Sequence, residues 1–393
     1  NADADQFPSF TETAGPDAPP LAFFPIPDAQ LEDDFAAEER VTAAYLLGDL
    51  RYDRFGIVAG VRVEQTETES SFGVFNEATG EQTLGTVQNS YTNVLPSVNA
   101  RYALRRNLLL RGSYFQSIAR APLNQLAGAA QVGFDLGDLS DDNVVSEGVI
   151  GRSNPDLDPF AADNFDISLE YYPVDNAVFS IGGFYKSIDD PIFISQQTDN
   201  DVFFSGLFFE EVTLAQPVNA GSAEIWGVEA AVDFRLDDSP EWMRTPGFLN
   251  GLGLRANVTA MDSELDDVPK RPGESFSLVR QPDLIAAIIP FYERGALSVR
   301  VSYKYTDKQL TQIIDTTPGA GPDVAGDGEF DEYLDSRSTL SAQVSYRIGR
   351  FTLSLSGQNL TEEPFRAFQG SIANKEEVVA SPAIYWVGLR AEL

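Results

Sequence analysis

The chain has 393 residues, of which 43% are hydrophobic and 11% aromatic, and its formal net charge is -33. This composition is too aromatic for a disordered protein, and so acidic a chain would repel nucleic-acid phosphates, so we expect no nucleic-acid partner. Cysteine and histidine are absent, which excludes disulfides and the zinc sites or catalytic triads that need these residues. Carboxylate pairs such as Glu210 and Glu211 lie in predicted loops, and we expect no enzymatic activity.

The N-terminal residues differ in composition from the rest of the chain. Residues 1–39 contain ten acidic residues and six prolines but no lysine or arginine. Runs of like charge stay solvated, and prolines interrupt regular strands. We therefore predict a long acidic loop over residues 1–39, followed by a structured region over residues 40–393.

The structured region alternates apolar and polar residues, which predicts strands with two different faces. The sequence has no apolar run approaching the roughly 18 residues of a membrane-spanning helix, so insertion into a bilayer would require strands. We predict thirteen strands, most of them ten residues or longer: 41–51, 55–68, 91–104, 107–118, 163–173, 176–189, 221–235, 250–262, 277–291, 295–307, 337–347, 350–360 and 383–392.

The connections between these strands alternate between short and long. Tight turns fall at 52–54, 105–106, 174–175, 293–295 and 348–349, with 236–249 as a longer member of this class. The long connections are 69–90, 119–162, 190–220, 263–276, 308–336 and 361–382. Soluble β-sandwiches have shorter strands, so this rhythm predicts an all-β fold, an antiparallel transmembrane β-barrel with aromatic girdles. The girdle candidates lie near strand ends: Tyr172, Tyr292, Tyr305, Tyr346 and Tyr385.

Five stretches resemble, in the same order, sequence landmarks of TonB-dependent outer-membrane receptors. The main one is NPDLDPFAADNFDISLEYYP at 154–173, and the others lie at 108–128, 222–234, 355–365 and 384–393. The resemblance implies that residues 40–393 are the C-terminal part, about 13 strands, of a barrel of about 22 strands. It also implies that the plug domain and the first strands lie outside this chain, and that residues 1–39 are an extracellular loop.

The resemblance further implies energy-coupled import of a small polar ligand across the outer membrane of a Gram-negative bacterium. The long loops would be extracellular, and the TonB energy-coupling protein would act through the missing plug. The sequence patterns of residues 154–173 and 183–193 are most similar to those of receptors for oligosaccharides. An oligosaccharide is therefore the predicted cargo, with a ferric siderophore as the alternative. A second hypothesis is a non-transporting structural or surface-assembly barrel. A surface lipoprotein or a second chain completing the barrel would fit either hypothesis.

The candidate ligand-binding residues come from the inward-facing strand positions and from one aromatic loop. The predicted register points several polar side chains into the lumen: Lys186, Asn257, Arg300 and Lys304, together with Glu229, Asp233 and Arg255. They would bind a polar ligand or simply line a hydrated lumen. Phe203 and Phe204, in the run FFSGLFF, would stack on a flat ligand or pack as a hydrophobic pin.

The acidic loops suggest a cation site and a lipid contact. Residues 322–333 resemble part of a calcium loop, with Asp323, Asp327, Glu329 and Asp331 as candidate ligands, although Ala325 and Leu334 exclude a complete EF-hand. A solvated acidic loop is the alternative, and we expect no other cofactor. Acidic loops also bridge through divalent cations to lipopolysaccharide phosphates, so outer-membrane lipid and lipopolysaccharide are expected partners.

Overall fold

The computed structural model describes residues 35–76, 81–127, 131–134, 144–174, 177–204, 207–219, 221–238, 246–266, 268, 271, 273–314, 328 and 330–392. Residues 1–34 of the predicted acidic loop lie outside this set. Thirteen strands form one antiparallel sheet in chain order. They are β1 (Phe35–Tyr52), β2 (Phe55–Asn76), β3 (Glu81–Arg105), β4 (Leu108–Ala119), β7 (Phe160–Tyr171), β8 (Val178–Asp189), β11 (Ser222–Arg235), β12 (Leu252–Asp266), β13 (Leu284–Arg294), β14 (Leu297–Thr306), β17 (Arg337–Ile348), β18 (Phe351–Gln358) and β21 (Ile384–Ala391).

The thirteen predicted strands are all present; most of their ends lie within four residues of the predicted positions, and three differences are larger. β1 begins at Phe35, inside the predicted N-terminal loop. The predicted loop 69–90 is mostly strand, because β2 and β3 continue as one long hairpin. The strand predicted to begin at residue 277 begins at Leu284 instead, since Arg280 has a φ of 63° and Pro282 cannot donate a backbone hydrogen bond.

The sheet has one apolar face and one polar face, and its register fixes which residues share each face. Ile57, Ala100, Gly112, Ile167, Gly183 and Val228 are neighbours along one row of the apolar face. Several large apolar side chains on this face are 60% or more exposed, among them Leu46, Ile167, Val387 and Leu389. Water would disfavour such a surface, whereas lipid would not, so the apolar face is the outside of a membrane barrel and the polar face is its lumen. The sheet is not closed, and β1 and β21 are its end strands.

Two smaller sheets lie among the long connections. The first loop sheet has the order β5–β6–β10–β9, and the second has the order β15–β16–β19–β20. Their strands are β5 (Gln131–Gly133), β6 (Val144–Gly151), β9 (Ile192–Phe204), β10 (Leu207–Asn219), β15 (Gln309–Gln312), β16 (Glu332–Leu334), β19 (Phe365–Gln369) and β20 (Lys375–Val379). Among the residues that the structure describes, the helical segments are one α-helix, α1 (Leu123–Ala127), and two 3-10 turns, Leu236–Asp238 and Gly247–Leu249. Among the described residues, none of the helices has the length and apolarity to cross a membrane.

The buried cores lie at the long-loop end of the sheet. The largest cluster joins the ends of wall strands to two long connections and contains Ile188, Ala223, Ile225, Leu265, Val268, Leu310 and Ile313. A second cluster fills the first loop sheet, and a third, smaller one surrounds Leu126 of α1. The wall thus supplies a scaffold, and the loops fold at its mouth.

Candidate ligand-binding lumen and loop cap

The polar face of β12–β14 brings three of the predicted ligand-binding residues together. Asn257 and Lys304 lie in the same row, each paired with Ala287 of the strand between them. Arg300 lies on the same face of β14, four residues nearer the short turns, and its Nη2 is 3.4 Å from Oε1 of Glu293. All three predicted side chains are exposed on the lumen face, so they form one patch that a ligand could reach.

Lys186 lies apart from this patch. It is half-buried on the lumen face of β8, paired in register with Asn164 and Ile225. Ile225 pairs in turn with Ser263, six residues along β12 from Asn257, which is about 20 Å at the usual rise of a strand. Lys186 makes no ion pair within the described residues. The structure therefore separates it from the Asn257, Arg300 and Lys304 patch.

A belt of arginines lines the lumen near the short turns. Eight strands each place one inward arginine there: Arg51, Arg101, Arg111, Arg235, Arg255, Arg300, Arg347 and Arg390. Several are paired; for example, Arg111 binds Glu170 at 2.8 Å and Arg255 binds Asp233 at 2.7 Å. Pairs this exposed add little stability, so the belt mainly keeps this end of the lumen polar.

The segment after β4 folds back over the lumen face of β2. Arg120 donates to Glu64 and, at 3.2 Å, to Oγ1 of Thr66, and α1 follows immediately. Glu64 and Thr66 are buried although both are polar. Their burial is tolerated because the guanidinium supplies the charge and hydrogen bonds that a buried carboxylate requires. This contact draws one long connection inward across the mouth.

The second loop sheet is joined to the opposite part of the wall by the largest hydrophobic cluster. Ile188, Ala223 and Leu265 belong to the lumen face of wall strands, whereas Leu310 and Ile313 follow β14. Tyr333 of β16 packs against the same cluster and stacks on Phe368 of β19, with ring centroids 5.3 Å apart. Because the contacts are made on the lumen face, these loops cap the mouth rather than spread outward.

Arg271 holds this loop cap together from within. Only 1% of its side chain is exposed, and its Nη1 donates to the carbonyl oxygen of Ile314 at 2.8 Å and to Oδ1 of Asp331 at 3.1 Å. Its Nε and Nη2 donate to the two carboxylate oxygens of Glu274 at 2.8 and 2.7 Å, and its guanidinium lies 4.7 Å from the ring centroid of Phe276. This forked hydrogen bonding raises the pKa of Arg271 and holds the pKa of Glu274 below its usual range.

The predicted calcium ligands are mostly beyond what the structure describes. Asp323, Asp327 and Glu329 lie outside the described residues, so the calcium site stays a prediction. The fourth candidate, Asp331, is buried, and its Oδ1 accepts hydrogen bonds from both Arg271 and the backbone N–H of Ile314. Among the described residues, no group of three or more carboxylates is arranged to hold a metal ion.

The two predicted aromatic residues of β9 have different surroundings. Phe204 packs against the core of the first loop sheet, and the guanidinium of Arg152 lies 5.5 Å from its ring centroid. Phe203 points to the other side and is 51% exposed. Of the two, only Phe203 presents a ring to a ligand.

Sequence reasoning missed Arg271, Glu274, Arg120 and Glu64. One signal was present for Arg271, because it lies in a short basic segment, PKRPG, within a strongly acidic connection. A positive charge isolated among carboxylates is a candidate partner for one of them. Its actual partner, Asp331, is 60 residues away, which local pattern could not reveal.

Several solved receptor structures have the same fold. The siderophore receptor PiuA from Acinetobacter baumannii matches with a TM-score of 0.59 and 17% identity, covering 91% of this chain and 44% of that chain. The unliganded ferric citrate transporter FecA matches with a TM-score of 0.58 and 14% identity, covering 91% and 45%. The ferric enterobactin receptor PfeA from Pseudomonas aeruginosa, in complex with enterobactin, gives 0.56 and 16%, covering 91% and 54%.

These similarities show the fold, and the chain spans about half the length of the solved structures it matches. The curated proteins give no match. A family model described as TonB dependent receptor-like, beta-barrel, matches residues 3–360, which is most of the chain and includes most of the predicted N-terminal loop. The chain therefore belongs to the TonB-dependent receptor β-barrel family.

Proposed function

We propose that this chain forms the lumen wall and loop cap of a receptor that imports a ferric chelate of the siderophore type. TonB-dependent receptors are outer-membrane transporters of Gram-negative bacteria rather than enzymes. The predicted oligosaccharide cargo has no support from the similar structures, which are siderophore and ferric citrate receptors, and the siderophore alternative fits them at least as well.

One observation carries the proposal. In a chain of net charge -33, the lumen face presents exposed cationic and amide groups, Lys304, Arg300 and Asn257, on one patch. An anionic chelate would gain charge-assisted hydrogen bonds from such a patch. A neutral sugar would rely more on exposed aromatic rings, and of the two predicted rings Phe204 is packed in the first loop sheet while Phe203 is exposed.

We also propose that import is energy-coupled through a plug. A plug outside this chain would fill the lumen and contact the arginine belt, and the TonB protein would pull on that plug from the periplasm. The long loops, including both loop sheets, would then face the cell exterior. Support comes from the alternation of short and long connections and from the polarity of the belt.

The test is ligand binding by the complete receptor purified from its own membrane. Ferric citrate, a ferric catecholate, a ferric hydroxamate and a linear oligosaccharide would be compared by isothermal titration calorimetry. We expect one ferric chelate to bind, and Lys304→Gln to weaken that binding at least about tenfold, since a charge-assisted hydrogen bond contributes about 1.5–3 kcal/mol. Lys375→Gln, which removes an exposed lysine of β20, is the matched control.

Other outcomes have a direct meaning. Binding of the oligosaccharide alone would overturn the ferric-chelate proposal and restore the first cargo prediction. Absence of binding for the whole panel would favour a non-transporting structural barrel.

Calcium binding by the acidic loop is a separate proposal. Its support is the run of carboxylates Asp323, Asp327 and Glu329, since Asp331, the fourth candidate, is already paired with Arg271. Replacement of Asp323 and Asp327 by asparagine should abolish calcium binding measured by calorimetry. Unchanged binding would exclude this segment as the calcium site.

A further inference from the structure

The short turns of two neighbouring hairpins carry exposed arginines. Arg54 lies in the turn between β1 and β2, and Arg105 and Arg106 lie at the turn between β3 and β4. None of the three forms an ion pair within the part of the chain that the structure describes. The sequence places one carboxylate, Asp53, in these two turns, so they have an excess of positive charge in a chain whose net charge is -33.

A β-bulge brings these arginines together on the outside of the wall. The backbone N–H of Ala103 donates to the carbonyl oxygen of Arg54 at 2.9 Å, so the two turns are adjacent. The register shifts between Ala103 and Arg105, and the shift sets Arg105 opposite Leu108 of the apolar face. Regular alternation would have directed Arg105 into the lumen, like Arg101. The bulge therefore re-aims this arginine towards the lipid.

An aromatic girdle on the apolar face borders the same turns. Tyr52 pairs with Phe55, and Phe55 pairs with Tyr102; these residues are 79%, 39% and 43% exposed. The girdle continues along the wall through Tyr171 and Phe179, whose ring centroids are 6.4 Å apart. Aromatic rings of this kind lie at the boundary between hydrocarbon and head groups. The arginines just beyond the girdle therefore lie at the depth of the lipid phosphates.

The neighbouring carboxylates of the lumen face have arginine partners of their own. Asp49 binds Arg51 at 2.7 Å, and Glu170 binds Arg111 at 2.8 Å. The guanidinium groups at the two turns are therefore available to an external anion. A guanidinium matches phosphate oxygens with two parallel N–H donors, so a phosphate at this depth is the anion that the turns fit best.

We propose that Arg54, Arg105 and Arg106 bind the phosphate of an anionic glycerophospholipid of the phosphatidylglycerol class. Its glycerol backbone lies at the aromatic girdle, and its acyl chains run along the apolar face. A zwitterionic phospholipid offers the same phosphate but adds an ammonium, which the three arginines repel, so the net charge of the head group decides the preference. The proposal rests on the orientation given under the proposed function, in which the short turns face the periplasm and thus the phospholipid leaflet. It does not depend on the imported ligand.

The same strand offers a matched control. Arg101 lies four residues before Arg105 on β3, is exposed, and makes no ion pair within the described residues. It pairs in register with Arg111 and faces the lumen, where a bilayer lipid does not reach. Arg101→Gln therefore removes the same charge from the same strand on the opposite face.

The experiment is native mass spectrometry of the complete receptor after delipidation. Phosphatidylglycerol, phosphatidylethanolamine with the same acyl chains, and purified lipopolysaccharide would be added in turn. We expect phosphatidylglycerol to bind at least about fivefold better than phosphatidylethanolamine, and the triple variant R54Q/R105Q/R106Q to abolish this preference. R105Q alone should weaken phosphatidylglycerol binding about fivefold, while R101Q binds as the wild type does.

Several results would overturn the proposal. Equal phosphatidylglycerol binding by the triple variant and the wild type would exclude the two turns as the site. Displacement of the lipid by an equal concentration of glycerol phosphate would indicate a site for a free anion. Lipopolysaccharide binding that the triple variant loses would overturn both the proposal and the orientation of the barrel. Ferric-chelate binding measured on the same samples reports separately on the proposed import function, so failure of one proposal is distinguishable from failure of the other.

Discussion

The two loop sheets each have four strands but are stabilised in different ways. The first has a core of its own, in which Val145, Ile150, Phe209 and Val212 are fully buried. The second shares its core with the barrel wall, because Leu310 of β15 and Tyr333 of β16 pack among wall residues such as Ile188. The first sheet is therefore stabilised by internal hydrophobic burial, whereas the second depends on docking to the lumen face.

A buried ion pair adds a second difference, because it lies in the region of the second loop sheet. Arg271 and Asp331 join two separate connections within the docked region, and their side chains are 1% and 4% exposed. A buried ion pair is costly to desolvate and is strongly destabilised when one partner is lost, so it suits a contact that must form in one arrangement only. Any outward movement of the second loop sheet has to break this pair or carry both of its connections together.

The largest expected effect comes from Arg271→Ala. The substitution leaves the Asp331 carboxylate buried without its cation, which costs about 3–5 kcal/mol locally. Hydrogen–deuterium exchange measured by mass spectrometry should show loss of protection in β15, β16 and β19, with the first loop sheet unchanged. Arg40→Ala is the control, because Arg40 pairs with Glu38 at 3.2 Å but is 70% exposed. Equal loss of protection in both loop sheets would show that the first loop sheet is not stabilised independently of Arg271.

A smaller effect is expected from overpacking the first loop sheet. An added Cβ at Gly148 would lie 2.5 Å from Cε1 of Phe209, whose side chain is fully buried. Overpacking of this kind costs about 1–3 kcal/mol, so Gly148→Ala should reduce exchange protection in β6 and β10 alone. The matched control is Gly133→Ala in β5 of the same sheet, where a Cβ meets nothing within 4 Å. Protection that falls equally in the two variants would show that the packing around Phe209 is not the cause.

The barrel wall could be predicted from the sequence because strand alternation is a local signal. A period of two residues fixes which side chains share a face, so the inward positions of Asn257, Arg300 and Lys304 followed directly from the segments that contain them. The hallmark segment 154–173 identified the family, and the structure adds a reason for its first residue. The side chain of Asn154 donates to the carbonyl oxygen of Pro217 at 3.0 Å and so ties the first loop sheet to the start of β7.

The loop cap could not be predicted, because its contacts are distant in sequence. β6 pairs in parallel with β10, and β16 pairs with β19, so neither pairing is marked by a hairpin turn. Asp331 illustrates the consequence. Its spacing from Asp327 suggested a cation ligand, and the structure places the guanidinium of Arg271 against it instead. The local sequence around a carboxylate does not show whether its positively charged partner is a metal ion or an arginine.

The smallest expected effect is a pH dependence confined to the second loop sheet. Burial, followed by repulsion from Glu376, raises the pKa of Glu332 in β16. The pKa of the folded state is then above that of the unfolded state, so this group favours folding at low pH and the benefit is lost as pH rises through the raised pKa. Glu332→Gln should therefore stabilise the second loop sheet at neutral pH and slow its proteolysis. The gain in stability should be less than about 1 kcal/mol, because the side chain keeps partial exposure, and it should be small below about pH 4. Glu377→Gln, an exposed carboxylate of β20, serves as the control. A matching change in the first loop sheet would mean that protonation acts on the whole mouth and not on the docked sheet.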